Sequence, residues 1–325
     1  MKRKVVRHGS NTLTVSIPAK WAKSNRISAG DEIEVLDKKN FLTISSQMKE
    51  THEKTVIDTR KMNKRVAETS LTGAYSRGYD EVEIIYDSKE LMDYLIVVMH
   101  TALLGYEVFY QSDKRCIIKG ISETQSSHFD SIMRKNFQIL DLLAEESLRL
   151  IKAKKFNELT SLFVLERTNN KFTNYLHRVL SRNGAGQKDD FFLYAIILLL
   201  ERVGDIYREI CECLPDVPAK DLKLGELAVS GILDKESGPV ILRKETFDIY
   251  SRTNEMLKKY EHYFYSFDMA LANEIESSWK NILFNAQKMS KSSNNSGEIK
   301  VLSELAILAN TFDMLLTQTI SLSIK

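Results

Sequence analysis

Near the start of the chain, apolar and polar residues alternate in three short runs: KRKVVRHG (2–9), TLTVSIP (12–18) and IEVLDKKNFLTIS (33–45). Alternation with a period of two predicts half-buried strands, the third run folding back on itself as a hairpin. Pro18 ends the second run, since proline cannot donate to a β ladder. AKWAKSNR (19–26) suits one or two helical turns with Trp21 packed beneath them, and SAGDE (28–32) is a turn in which Asp31 redirects the chain. A unit of about 47 residues buries too little core to stand alone, and its edge strands are unpaired. Dimerisation through those edges answers both problems.

Over residues 48–122 strands alternate with helices. KTVID (54–58) and DEVEIIYD (80–87) read as strands, KMNKRVAETSLTGAYSRG (61–78) and SKELMDYLIVVMHTALLG (88–105) as helices, and EVFYQSDKRCIIKGI (107–121) as a hairpin. Ser88 and Gly105 are placed to cap the second helix at its two ends. From 123 onward the period is helical: Phe129, Ile132, Met133, Phe137, Leu140, Ala144, Leu148 and Ile151 trace one stripe. Further helices are predicted over about 156–181 and 189–214, then, after a connector (215–238), over 240–266, 268–290 and 299–324. Such an order predicts a doubled three-helix bundle with antiparallel neighbours. The expected fold is therefore multidomain and mainly α. It has a small β unit (1–47), a small α/β domain (48–122) and a helical domain (123–325) with three-helix repeats at about 123–214 and 239–325.

Composition is that of an ordinary soluble globular protein, 43% hydrophobic and 28% charged. The longest apolar run, FFLYAIILLL (191–200), is about half of what spans a bilayer, and the N-terminus lacks the apolar region of a signal peptide. A cytoplasmic protein without membrane insertion is expected. Cys116, Cys211 and Cys213 suit reduced, partly buried thiols, and the scattered histidines offer no paired metal ligands. The net charge of +2 conceals an asymmetry: residues 1–30 hold Lys2, Arg3, Lys4, Arg7, Lys20, Lys23 and Arg26 but no Asp or Glu. A basic end on an otherwise acidic chain points to a polyanion partner.

RKVVRHGSNTLTVSIPAKWA followed by ISAGDEIEV resembles the swapped-hairpin DNA-binding domains of the AbrB, MazE and SpoVT group, over about residues 3–46. The resemblance implies that two chains interlock their hairpins into one small dimeric β-barrel. Independently, phosphate contacts need flexible positive side chains on a surface free of carboxylates, and a symmetric dimer presents two equivalent halves to pseudo-palindromic DNA. The candidate DNA-binding residues are Arg3, Lys4, Arg7, His8, Ser10, Asn11, Lys20 and Lys23, with arginine the base reader and lysine the phosphate contact. A domain that only dimerises, with a solvated basic face, is the alternative.

A second candidate site lies in the helices. FFLYAIILLLERVGDIYREI is apolar all round, hence expected to be buried, and then delivers Glu201 and Asp205 on one face. Glu166 and Asn170 interrupt the stripe of the preceding helix. Facing antiparallel helices could gather these four into an oxygen-rich site for a divalent or trivalent metal ion; the alternative pairs the acids with Arg167, Arg202 or Arg208. LERVGDIYREI resembles the signature helix of the PhoU phosphate-uptake regulators, which carry E-x-x-x-D motifs on bundle helices and often bind metal there. VLERTNNKFTNYLHRVL resembles the companion motif, with Asn170 where that family usually has Asp. ELAILANTFDMLLTQTI is a degenerate copy that keeps Asp313 and has Ala309 at the Glu position.

The paired resemblances imply an archaeal-type transcriptional regulator of phosphate uptake. Its expected partners are DNA, a second copy through residues 1–47, and a phosphate transporter subunit or phosphate-sensing protein. The alternative is an adaptor that inhibits a phosphate transporter by protein contact, its N-terminal domain serving only dimerisation. No general base or activated nucleophile accompanies Glu166, Glu201 and Asp205, so an enzyme is not expected.

Overall fold

β1 (Val5–His8) pairs antiparallel with β2 (Thr12–Val15), Val5 opposite Val15 and His8 opposite Thr12. The computed structural model that shows this describes residues 2–9, 12–38, 41–46, 53–121, 128–182, 188–214 and 241–324, and divides into two units, Met1–His52 and Glu53–Lys325. Gly9, at φ +76°, starts the turn after β1 in a left-handed conformation that side chains disfavour. Pro18 occupies the N-cap of α1 (Ala19–Ser24), where the lack of an N–H is harmless. Asn25 closes that helix, its side-chain amide donating to the Trp21 carbonyl at 2.8 Å. Asp31 accepts the Ser28 N–H at 2.7 Å, making the turn into β3 (Ile33–Lys38), which pairs antiparallel with β4 (Phe41–Ser46).

One chain does not close the expected barrel: β1–β2 and β3–β4 are separate two-stranded sheets. No described side chain of this unit is buried, and Trp21 is only half-buried. Val5, Val6, Leu13, Val15, Val35 and Leu42 are all exposed. Two-stranded hairpins are marginal in water, so the unit lacks the core that a second copy would supply.

The second unit begins with a four-stranded mixed sheet in the order β5-β6-β8-β7. β5 (Lys54–Asp58) runs parallel to β6 (Glu81–Ile85), and β8 (Arg115–Gly120) is antiparallel to both β6 and β7 (Tyr106–Gln111). α2 (Lys64–Ser76) and α3 (Lys89–Ala102) pack on its Ile57, Val82, Ile84, Cys116 and Ile118 through Leu71, Tyr75, Met92 and Leu95. Asn63 and Ser88 cap the two helices, accepting the N–H of Val66 at 2.9 Å and of Leu91 at 3.2 Å. At its other end α3 stops earlier than expected. Leu103 is the cap, and Gly105, at φ +78°, makes the turn two residues on.

Six helices follow: α4 (Phe129–Lys152), α5 (Phe163–Arg182), α6 (Lys188–Glu212), α7 (Lys244–Ser266), α8 (Met269–Ser292) and α9 (Ser296–Ser323). They share one continuous core, from Phe137 and Leu140 through Tyr207 to Tyr260 and Phe312. Residues 156–162, expected to be α-helical, form a 3-10 turn after Lys154 at φ +56° has redirected the chain. The connector over 215–238 lies outside the described residues. α6 corrects another expectation. Its apolar run is buried on two sides only, and Phe191 (73% exposed), Tyr194 and Leu198 face outward.

α5 joins the two parts of this unit. Arg178, 3% exposed, donates to the carbonyls of Tyr75 (2.9 Å) and Tyr79 (2.7 Å) and to Asp80 Oδ1 (3.2 Å). Arg182 reaches the Gly78 carbonyl and Asp80, Lys171 the His100 carbonyl and Asn174 that of Ala102. These carbonyls cluster at the C-terminal ends of α2 and α3, where the helix dipoles are negative and cations are favoured.

Candidate nucleic-acid interface

The described candidates for DNA contact lie on β1, on the residues leading into it, and on α1. Arg3, Lys4, Arg7, His8, Lys20 and Lys23 are all exposed; Ser10 and Asn11 lie outside the described residues. Arg3 donates to Ser16 Oγ at 3.4 Å. Cross-strand partners share a face of a hairpin, so the register puts Arg7 with Val5, Leu13 and Val15, and His8 with Val6, Thr12 and Thr14. The first face is the more apolar, and a second copy would cover it. On that face Arg7 is the residue nearest the turn. Lys20 and Lys23 stand three apart on α1, one turn of a single face. No carboxylate precedes Asp31, so residues 1–30 carry only positive side-chain charge.

The acids of the helical part come together between α5 and α6. Glu166 is buried, and its carboxylate accepts from Asn170 Nδ2 at 2.6 Å and from Arg208 Nη1 at 3.3 Å. Glu201 accepts from the Thr173 hydroxyl at 3.3 Å. Burial, then the negative field of Asp205, pushes the Glu201 carboxyl up to about 7. Burial also raises Glu166 and Asp205. The ion-pair alternative is met only in part: Arg208 holds Glu166 and Glu212, while Arg202 makes a two-pronged contact with Glu209 at 2.6 and 2.9 Å. Arg65, at the start of α2, adds a positive field at Glu201 and Asp205. Sequence offered no sign of this, since α2 belongs to a different segment that packs on the bundle through α5.

Asn170 donates to Glu166 but keeps a buried Oδ1 that has no hydrogen-bond partner among the described residues, and Arg208 takes a further oxygen of Glu166. Among the described residues, no three His, Cys, Asp or Glu side chains are gathered closely enough to hold a metal ion. As arranged, Arg208 compensates Glu166, while Asp205 still raises the Glu201 carboxyl. On α9, Ala309 is buried in the core and Asp313 is half-buried.

Residues 6–52 match the family described as antidote-toxin recognition MazE, bacterial antitoxin. The first unit is thus a MazE-type domain, a type that implies DNA binding and dimerisation. No curated protein and no solved structure matches the chain. Among the described residues, no helix is long and apolar enough to cross a membrane.

Proposed function

We propose, with residues 6–52 as a MazE-type domain, that the chain is a dimeric DNA-binding transcriptional regulator controlling phosphate uptake. The observation that carries the DNA-binding part lies in the first unit, which has no core of its own and whose residues 1–30, a basic hairpin and short helix, hold no acid. A second copy supplies the core and doubles the positive surface. The phosphate part is supported by the likeness of LERVGDIYREI and VLERTNNKFTNYLHRVL to the PhoU signature helices. In this reading the helical part responds to phosphate status and alters how the paired N-terminal units are held over DNA. Such coupling requires that its effector bind two states of the protein with different affinity. The α5 contacts to α2 and α3 support transmission, because they tie the acidic cluster to the α/β sheet through buried hydrogen bonds.

A second reading is favoured by the outward apolar stripe Phe191, Tyr194 and Leu198, since apolar side chains clustered on a surface mark protein contacts. In it the chain is an adaptor that inhibits a phosphate transporter through that face, and the N-terminal unit only dimerises it. Genome-wide DNA occupancy in phosphate-replete and phosphate-starved cells separates the two. Enrichment at phosphate-transporter promoters that changes with phosphate is expected of the regulator. Uniform background in both conditions would sink it.

A further inference from the structure

β5 is an edge strand whose outer side is unclaimed among the described residues. The Glu81 N–H reaches the Glu53 carbonyl at 3.2 Å and the Thr59 N–H reaches that of Ile85 at 2.8 Å. The odd-numbered residues of β5 therefore face β6. The backbone N–H and C=O groups of Lys54, Val56 and Asp58 turn the other way, along the open edge. Open edges with such groups invite pairing with another strand.

We propose that two copies of the chain pair their β5 strands antiparallel across a two-fold axis at Val56, joining their four-stranded sheets into one. The sequence KTVID is self-complementary in that register. Lys54 falls opposite the partner's Asp58, Val56 opposite the partner's Val56, and Asp58 opposite the partner's Lys54. Opposite charges facing one another are a favourable cross-strand pair, and β-branched side chains pack well against neighbours on a pleated surface. The three facing pairs are also those whose backbone groups point outward, so each exchanges both of its N–H···O bonds. Val56, 58% exposed on the open sheet face, gains a β-branched neighbour.

The present side-chain contacts tolerate this. Lys54 now shares Glu81 with Lys119, both at 3.1 Å, so Glu81 keeps a cation when Lys54 turns to the partner's Asp58. Asp58 is held by Arg60 and retains free lone pairs for a second cation.

The inference rests on the MazE-type dimer, which brings the second copy within reach. β5 starts eight residues after β4 ends, a span of at most roughly 30 Å of extended chain. Two β5 strands leashed this closely to one dimer meet at effective concentrations on the order of millimolar. An isologous contact of this kind closes on itself and forms no filament.

The test is cross-linking in the full chain. Paired residues of this type lie about 5.5 Å apart at Cα, within the roughly 4.4–6.8 Å that a disulfide spans. On mild oxidation Val56→Cys should form a disulfide-linked dimer, whereas the wild type and Phe109→Cys, exposed on the far edge strand β7, should not. Adding Lys54→Asp to Val56→Cys should cause loss of the cross-linked species, and adding Asp58→Lys as well should restore it. A Val56→Cys chain that elutes as a dimer yet does not cross-link would overturn the β5 pairing alone. Equal cross-linking of Phe109→Cys would do the same. A chain that elutes as a monomer would remove the MazE-type dimer and this contact together.

Discussion

A methyl group added to Gly204 would sit 2.4 Å from Asn169 Oδ1 and 3.1 Å from its Cγ. Asn169 cannot retreat, being fully buried and bonded to the equally buried Asn136 at 2.9 Å. Gly204→Ala therefore loses stability although alanine is the better helix former by about 1 kcal/mol. Overpacking of this kind costs about 1–3 kcal/mol, read as a lower urea midpoint at unchanged slope. Glu304 makes a second prediction. Burial, and then the facing Glu209, pushes its carboxyl up to about 7, while Arg202 is already committed to Glu209. The folded chain thus keeps a proton that the unfolded chain releases near pH 4.5, and stability falls as pH rises from there to about 7. Glu304→Gln should raise Tm at pH 8 and leave it nearly unchanged at pH 5. Glu201 and Asp205 were legible as enclosed acids because the apolar run before them predicts burial locally. The Asn136–Asn169–Gly204 contact was not legible, because it joins three helices that nothing local relates.

Among helix starts, Ser88 was legible as a cap, whereas the starts of α2, α7 and α9 fell three or four residues from where periodicity alone placed them. Asn63 and Ser88 accept the N–H three residues on, as do Asn295 at α9 and, two residues on, Asp268 at α8. The 3-10 turn over 156–162 was hidden because Leu159 and Leu162 continue a plausible helical stripe. Periodicity cannot tell i+3 from i+4 turns over so short a span. The open side of α6 was hidden for a different reason: an all-apolar helix predicts burial, yet burial depends on whether a neighbour covers each side. The contact of α5 with the ends of α2 and α3 was equally unreadable, as arginines on a helix usually face solvent. Arg178→Met tests it. The Tyr75 and Tyr79 carbonyls lose a buried charged donor while Asp80 keeps Arg182, which should cost about 1–3 kcal/mol. Unfolding of the α/β sheet before the bundle, seen by hydrogen exchange, is the expected signature.

For the whole molecule, the MazE-type unit was legible as a type because its short strands, Pro18 and acid-free basic residues lie within one continuous stretch, and the family match over 6–52 overlaps the resemblance over about 3–46. The helical part left no comparable match, and its proposed role rests on two motif-bearing helices. DNA binding by the dimer makes a quantitative demand, because each phosphate neutralised steepens the salt dependence by about 0.9 in log–log slope. Lys20→Ala and Lys23→Ala should each flatten that slope by roughly 2 per dimer if both copies touch phosphate, while leaving Tm unchanged. The most direct measurement is the affinity of the full chain for duplex DNA as salt rises from about 50 to 200 mM. The account predicts binding at the low end and a fall on the order of a thousandfold, as expected for about six phosphate contacts. No binding at low salt, or an affinity indifferent to salt, would contradict it.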